Sequence, residues 1–367
     1  MKSPQQTAAL SLLALGFLAT APAGAQVKVE NDPPIDGAVR IPALPPKADP
    51  QMQAVLDKLA SLGGEPIETL SPKEARKQPT PADAVMLLLK DQGKWKKEDV
   101  AKVDNISIEL KGRDVKGRVY VPEGEGPFPV ILYIHGGGWV IADLDTYDAT
   151  PRALANSVGA VVVSTHYRQA PEHKFPAAHN DVFGAYQWTL KNAHKWNANP
   201  GKVAVVGESA GGNMAASICR LAADEGLPLP AHQVLIYPVA DSKMDTPSYI
   251  ENATAKPLSA PMMKWFADHT FESKADAEDP KFALLKKTDL KGLPPVTIVT
   301  AQIDPLRSEG EALAEKFKEA GVPVSYRNYD GVTHEFFGMA AAVDKAKEAQ
   351  AFVTANLKAA FADKAAE

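Results

Sequence analysis

The chain has a single cysteine, Cys219, among 367 residues. One thiol leaves nothing for an internal bridge, so a disulfide scaffold is excluded. Cys219 reads as a small core residue of a buried helix. Long basic runs are also missing: 40 Lys+Arg stand against 45 Asp+Glu, a formal net charge of −5. Affinity for nucleic acid comes from basic residues meeting phosphates, so nucleic acid is not an expected partner. There is no H-E-x-x-H and no close spacing of His, Cys and Asp, so no metal site is expected. Long apolar runs are missing too. The one sustained N-terminal run, Ala8 to Thr20, is 13 residues, too short to span a bilayer comfortably. No internal repeat is visible.

What is present is a composition of 45% hydrophobic and 23% charged residues. That is enough apolar material for a sizeable core, which excludes disorder over most of the length. Lys2, the apolar run and Ala23-Gly24-Ala25 together have the pattern of a secretory signal peptide. The expected cut follows Ala25, giving a mature chain from Gln26 that is periplasmic or secreted. An uncleaved membrane anchor is the alternative. No later stretch is long enough to span a membrane, so no stable span is expected after cleavage.

The expected organisation has four parts: a signal peptide at 1–25, a Pro-rich segment at 26–50, N-terminal cap helices at 51–104, and a main domain at 105–367. Six prolines between Gln26 and Pro50 imply extended or disordered chain, because proline lacks an N–H and fixes φ. Met52, Val55, Leu56, Leu59 and Leu62 recur at helical spacing up to Gly63-Gly64. A second helix is expected from Pro81 to Gln92 with Thr80 as its cap.

From residue 105 strand-like and helix-like segments alternate. Ile106–Leu110 and Val115–Val121 read as strands of alternating polarity. Val130–Ile134, Val161–Ser164, Val203–Val206, Val234–Ile236 and Val296–Thr300 are compact β-branched runs, as in strands covered on both faces. Val324–Tyr329 is a weaker one. Helices are expected at Thr150–Ser157, Ala177–Ala193, Gly211–Ala223, Glu309–Ala320 and Ala341–Phe361. The fold class is therefore α/β: a mostly parallel twisted sheet of about eight strands flanked by helices. Residues 240–293 break the rhythm and read as an insertion above the sheet. Its Met262, Met263, Trp265 and Phe266 either pack as ordinary core or form a lid over an apolar pocket.

Two motifs carry chemistry. Gly207-Glu208-Ser209-Ala210-Gly211 follows a strand and opens a helix. That context suits a tight turn that exposes a serine at the strand tip, with the helix N-terminus favouring negative charge there. His135-Gly136-Gly137-Gly138-Trp139 follows the Val130 strand. Its main-chain N–H groups can turn to one point and hold the oxyanion formed when a serine attacks a carbonyl. The serine needs a base, and the base an orienting acid. Of eight histidines, His334 stands on the loop between the last strand and the last helix. His135 belongs to the glycine loop, and His166, His173, His179, His194, His232 and His269 read as structural or surface residues. Asp304 follows the Val296 strand and is the candidate acid; Asp330 competes with it. The order Ser209, Asp304, His334 is that of α/β-hydrolases.

The sequence resembles the hormone-sensitive-lipase-like (bacterial family IV) esterases of the α/β-hydrolase superfamily, from about residue 105 to the C-terminus. The resemblance rests on the His135–Trp139 and Gly207–Gly212 blocks, on Tyr167-Arg168-Gln169-Ala170-Pro171-Glu172, and on Asp304-Pro305-Leu306-Arg307 with Glu309-Gly310. It implies an α/β-hydrolase fold with a helical cap and a cofactor-independent carboxylic ester hydrolase. Ser209 would be the nucleophile, His334 the general base and acid, and Asp304 its orienting acid. The N–H groups of Gly137, Gly138 and Ala210 would form the oxyanion hole. The implied partners are small soluble esters of short to medium acyl chain, with no cofactor and no metal. Three positions depart from the family pattern: Glu208 where Asp or Thr is usual, His166 where Asp often stands, and Glu335 where glycine is common. An amidase or deacetylase could use the same triad. A non-catalytic binding protein on this scaffold is the third reading. A homodimer is left open.

Overall fold

The computed structural model describes residues 46–286 and 289–362. The expected signal peptide and most of the Pro-rich segment lie outside the described residues. Eight strands form one sheet: β1 (Lys102–Leu110), β2 (Arg113–Val121), β3 (Phe128–Ile134), β4 (Val161–Thr165), β5 (Ala198–Glu208), β6 (His232–Ile236), β7 (Val296–Ile303) and β8 (Val324–Thr333). Their order is β1-β2-β4-β3-β5-β6-β7-β8. β1 pairs antiparallel with β2, and β2 with β4. Every other neighbouring pair is parallel. This is the mostly parallel α/β sheet that the alternating sequence pattern implies.

The helices are α1 (Pro50–Ser61), α2 (Pro72–Ala75), α3 (Pro81–Asp91), α4 (Ala149–Leu154), α5 (Ala177–Asn192), α6 (Ala210–Asp224), α7 (Pro247–Glu251), α8 (Ala260–Thr270), α9 (Arg307–Glu319) and α10 (Asp344–Phe361). Both faces of the sheet are covered, and the side chains alternate between them as the pleat requires. Val130, Leu132 and Ile134 of β3 join Val203 and Val205 of β5 under α5, α6 and α9. Ile131 and Tyr133 join Ala204 and Val206 on the opposite face, under α1, α3, α4 and α10. Cys219 is wholly buried on α6. Among the described residues no helix is long and apolar enough to cross a membrane.

Several boundaries differ from the sequence pattern. Pro50 opens α1 rather than closing an extended segment, because Asp49 caps the helix by accepting from the Met52 N–H and proline suits the first turn. The short α2 carries no hydrophobic period but has a complete Ser71–Glu74 capping box. The helix at 149 ends at Leu154 and widens into a π-turn over Ala155–Gly159. The last helix starts at Asp344, after a separate short turn at Phe336–Met339.

Two local features place the strand ends. At the β5–α6 junction the backbone of α6 passes directly beneath the strand tip. A β-carbon on Gly207 would lie 2.0 Å from the Gly211 carbonyl oxygen. Nothing flexible is there to yield, so only glycine fits. Between β7 and β8 the pairing moves from Ala301↔Tyr329 to Ile303↔Thr333. β8 therefore takes two more residues than β7 over this step. Such a bulge bends a strand and re-aims the residues beyond it; the first of these is His334.

Gly207→Ala should abolish soluble folded protein or lower the melting temperature far more than Gly226→Ala. Gly226 has a positive φ, so alanine is strained there by the backbone alone, but open space lies where the methyl would go. Paired thermal melts test this; equal losses would show that the α6 crossing can relax.

Candidate active site

The carboxyl-terminal ends of β3, β5, β7 and β8 converge on one point. Ser209 stands at the tip of β5 with φ +57° and ψ −120°, a positive-φ conformation that a non-glycine residue adopts only under constraint. The constraint is visible: its N–H donates to the Ile236 carbonyl at 2.9 Å, while α6 begins at the next residue. His334 follows β8 and Asp304 follows β7. His334 Nδ1 lies 2.7 Å from Asp304 Oδ2, and Nε2 lies 3.0 Å from Ser209 Oγ. The carboxylate accepts from Nδ1–H, which leaves the Nε2 lone pair facing the serine hydroxyl. Asp304 is itself held, its Oδ1 accepting from the Leu306 N–H at 2.8 Å. All three side chains are buried. In this arrangement the imidazole can take the hydroxyl proton.

Burial opposes a positive charge on His334. The Asp304 carboxylate, with Glu335 and Glu208 adding to it, more than offsets that, and the imidazole pKa is raised. Asp330 is exposed and accepts instead from the Asn328 side chain; it does not reach the histidine's carboxylate position.

Gly137, Gly138, Ser209 and His334 all line one cavity of about 1000 Å³. Ala210 is the first residue of α6, behind the serine. The N-terminal end of this 15-residue helix therefore points at the hydroxyl, which favours negative charge there. A β-carbon on Gly138 would sit 2.3 Å from the Phe266 ring, so the glycine loop lies flush against the insertion above it. His135 is not in this chain of contacts. Its ring is buried, bonded through Nδ1 to the Gly136 carbonyl and through Nε2 to His166 Nδ1. Burial and the adjacent His166 push it down to about 3, so it is neutral.

The roof has two parts. Leu258, Met262 and Phe266 line the cavity from the insertion, and Leu56, Leu59 and Ile67 line it from the N-terminal segment. Met263 and Trp265 are buried without lining the cavity. The Trp265 indole donates to the Leu70 carbonyl at 3.1 Å, tying the two parts together. Arg76 reaches down from the N-terminal part. It donates to the carbonyls of Val140 and Ala170 and to both oxygens of Glu172 at 2.7 Å. These hydrogen bonds hold the Glu172 carboxyl down to about 2.

In the sequence Glu208 and Glu335 stand out only as departures from a pattern, and their partners are not visible there. Glu208 is wholly buried beside the serine. It accepts from the hydroxyls of Tyr133 and Tyr237. The Tyr237 ring also lies against His334, with centroids 4.4 Å apart. Burial, then the neighbouring Glu335, raises Glu208 to about 7. A tyrosine inside an apolar strand is the one signal that could have pointed here, because a buried hydroxyl needs a partner.

The chain matches the family described as alpha/beta hydrolase fold over residues 131–338. It is 38% identical over 243 residues to the carboxylic ester hydrolase LipN of Mycobacterium tuberculosis, covering 65% of each chain. It is 32% identical over 298 residues to an ethyl acetate hydrolase of Pseudomonas putida, covering 80% of this chain and 92% of that one. Among solved structures it is similar to a thermostable esterase from Pseudomonas putida, with a TM-score of 0.79 and 34% identity. That alignment covers 88% of this chain and 100% of the other.

Glu208 gives this site a measurable pH signature. Its folded pKa of about 7 lies above the ordinary 4.5. Between those values the folded state keeps a proton that the unfolded chain releases, so stability falls as pH rises through that window. Glu208→Gln removes the titration. The variant should lose less melting temperature than wild type between about pH 5 and about pH 8. Equal losses would mean that Glu208 is already ionised at the lower pH.

Proposed function

This chain belongs to the α/β-hydrolase family and is a carboxylic ester hydrolase, and on that premise we propose that it works through an acyl-enzyme on Ser209. Ser209 Oγ attacks the ester carbonyl carbon while His334 Nε2 takes its proton. The charge gathering on the carbonyl oxygen rests on the N–H groups of Gly137, Gly138 and Ala210. His334 then passes the proton to the departing alcohol. Water hydrolyses the acyl group in the same way, with His334 again taking and returning a proton. Asp304 holds the imidazole in the tautomer that presents its lone pair to Ser209. The observation that carries this reading is the Ser209–His334–Asp304 chain of hydrogen bonds, 3.0 and 2.7 Å long, opening into a cavity beside the glycine loop.

The substrates are soluble esters of short to medium acyl chain. Two observations support this. Met262 and Phe266 of the insertion line the cavity that holds Ser209, which suits a molecule that enters whole rather than one drawn from an emulsion. The Pseudomonas putida relative is named for ethyl acetate.

Hydrolysis of p-nitrophenyl esters from acetate to palmitate tests the reading. Wild type should peak at the short chains, and Ser209→Ala should lose roughly 10³-fold or more in kcat. A Ser209→Ala variant that keeps its activity, or a peak at palmitate, would overturn the corresponding part.

Export is a separate proposal, supported by Lys2, the Ala8–Thr20 run and Ala23-Gly24-Ala25. Protein recovered outside the cytoplasm should begin at Gln26. Recovery only in the cytoplasm with Met1 retained would overturn it.

A further inference from the structure

Glu335 sits where its backbone is least comfortable. Its φ is +70°, in the left-handed region that favours glycine. Something other than backbone preference places a carboxyl there. Its Oε1 accepts from the Tyr147 hydroxyl at 2.6 Å. The same oxygen lies 3.8 Å from His334 Nε2, the nitrogen that faces Ser209. That separation is too long for a direct hydrogen bond and suits a shared water. Glu335 also lines two spaces at once. One is the large cavity that contains Ser209. The other is a small space of about 40 Å³ behind it, bounded by Tyr147, Thr150, Glu208 and Met339 among others. A water needs roughly 10–15 Å³ of such space and two or more polar partners, so this recess can hold water. Glu335 stands between that recess and the serine.

We propose that Glu335 is a catalytic residue of the second half-reaction, holding the water that attacks acyl-Ser209. The inference rests on the acyl-enzyme reading above. Once the alcohol has left with its proton, His334 is neutral and Nε2 has a free lone pair. The water donates one hydrogen to Nε2 and the other to the Glu335 carboxylate. Its oxygen is then left facing the acyl carbon. The new O–C bond forms as the first hydrogen passes to Nε2. The C–Oγ bond then breaks, and Nε2 returns the proton to Ser209 Oγ. The product is the carboxylic acid. Glu335 neither gains nor loses a proton over the cycle, and nothing is oxidised or reduced. The tyrosine hydroxyl occupies one lone pair of Oε1 and fixes the carboxylate, so the water's place is defined before the acyl group arrives. Attack on the ester by Ser209 needs no such water, so the first half-reaction keeps only the carboxylate's long-range help to the His334 imidazolium, which both half-reactions share, and the larger loss falls on the second.

Glu335→Gly tests this with little risk to folding, because glycine relieves the left-handed backbone. Glu335→Gln keeps the shape and removes the charge. Stopped-flow hydrolysis of p-nitrophenyl acetate separates the burst, which reports acylation, from the steady rate, which reports deacylation. In Glu335→Gly, deacylation should fall about tenfold or more while acylation stays within about threefold, with Glu335→Gln between it and wild type. KM should fall together with kcat, and kcat should become equal for p-nitrophenyl and phenyl acetate. The acetyl group should accumulate on the Ser209 peptide by mass spectrometry. An equal fall in both half-reactions, or an unchanged deacylation rate, would overturn the role of Glu335 while the acetyl-Ser209 adduct still upheld the serine mechanism. Turnover with no adduct in wild type or in either variant would overturn both.

Discussion

The site depends on how closely the start of α6 approaches the ends of β3 and β5. The Gly211 α-carbon lies so near the Ile134 carbonyl that a β-carbon would come within 2.1 Å of it. Gly207 meets the backbone of Gly211 just as tightly. These contacts are between main chains, and main chains cannot rotate away as side chains do. The crossing therefore has one geometry. It lifts Ser209 above the sheet in a tight positive-φ turn and brings the helix N-terminus to the same point. The parallel order of β3, β5, β6, β7 and β8 then puts the other groups on the same edge, since parallel strands deliver their carboxyl ends to one side.

Around His334 the protein concentrates negative charge. Asp304, Glu335 and Glu208 all act to favour the imidazolium. Setting Glu208 and Glu335 beside this imidazole is costly, because burial raises the pKa of both. The hydroxyls of Tyr133, Tyr237 and Tyr147 limit that cost by donating to Glu208 and Glu335. The tyrosines come from β3, from the end of β6 and from the loop before α4, so the cluster also ties these elements together. Its charge is poised rather than fixed, since Glu208 titrates at about 7. An imidazole that must gain a proton during a reaction and give it back is well served by such surroundings.

The roof is anchored to this base by directional bonds at several points. Arg76 joins the N-terminal segment to the glycine-loop side at Val140 and to the Ala170–Glu172 turn. Trp265 joins the insertion to the same segment. The insertion also packs tightly on the glycine loop, as the Phe266 ring against Gly138 shows. Residue type at the roof thus bears directly on the space left for an acyl chain.

Features controlled by short-range sterics are legible in the chain alone. Continuous β-branched runs mark the inner strands, because only strands covered on both faces need them. The glycine blocks mark the two turns, because backbone approaches backbone there. His334 stands out among eight histidines by following the last strand. Which groups converge is decided elsewhere. Ser209 and His334 are 125 positions apart, and Ser209 comes within 3.0 Å of the ring only through the strand order and the β8 bulge. Glu208 and Glu335 read in the sequence as departures from a pattern, and Tyr133, Tyr147 and Tyr237 as ordinary aromatics. Each acquires its chemistry from partners on other elements. Proximity across a sheet depends on long-range register and packing, which no local run of residues encodes.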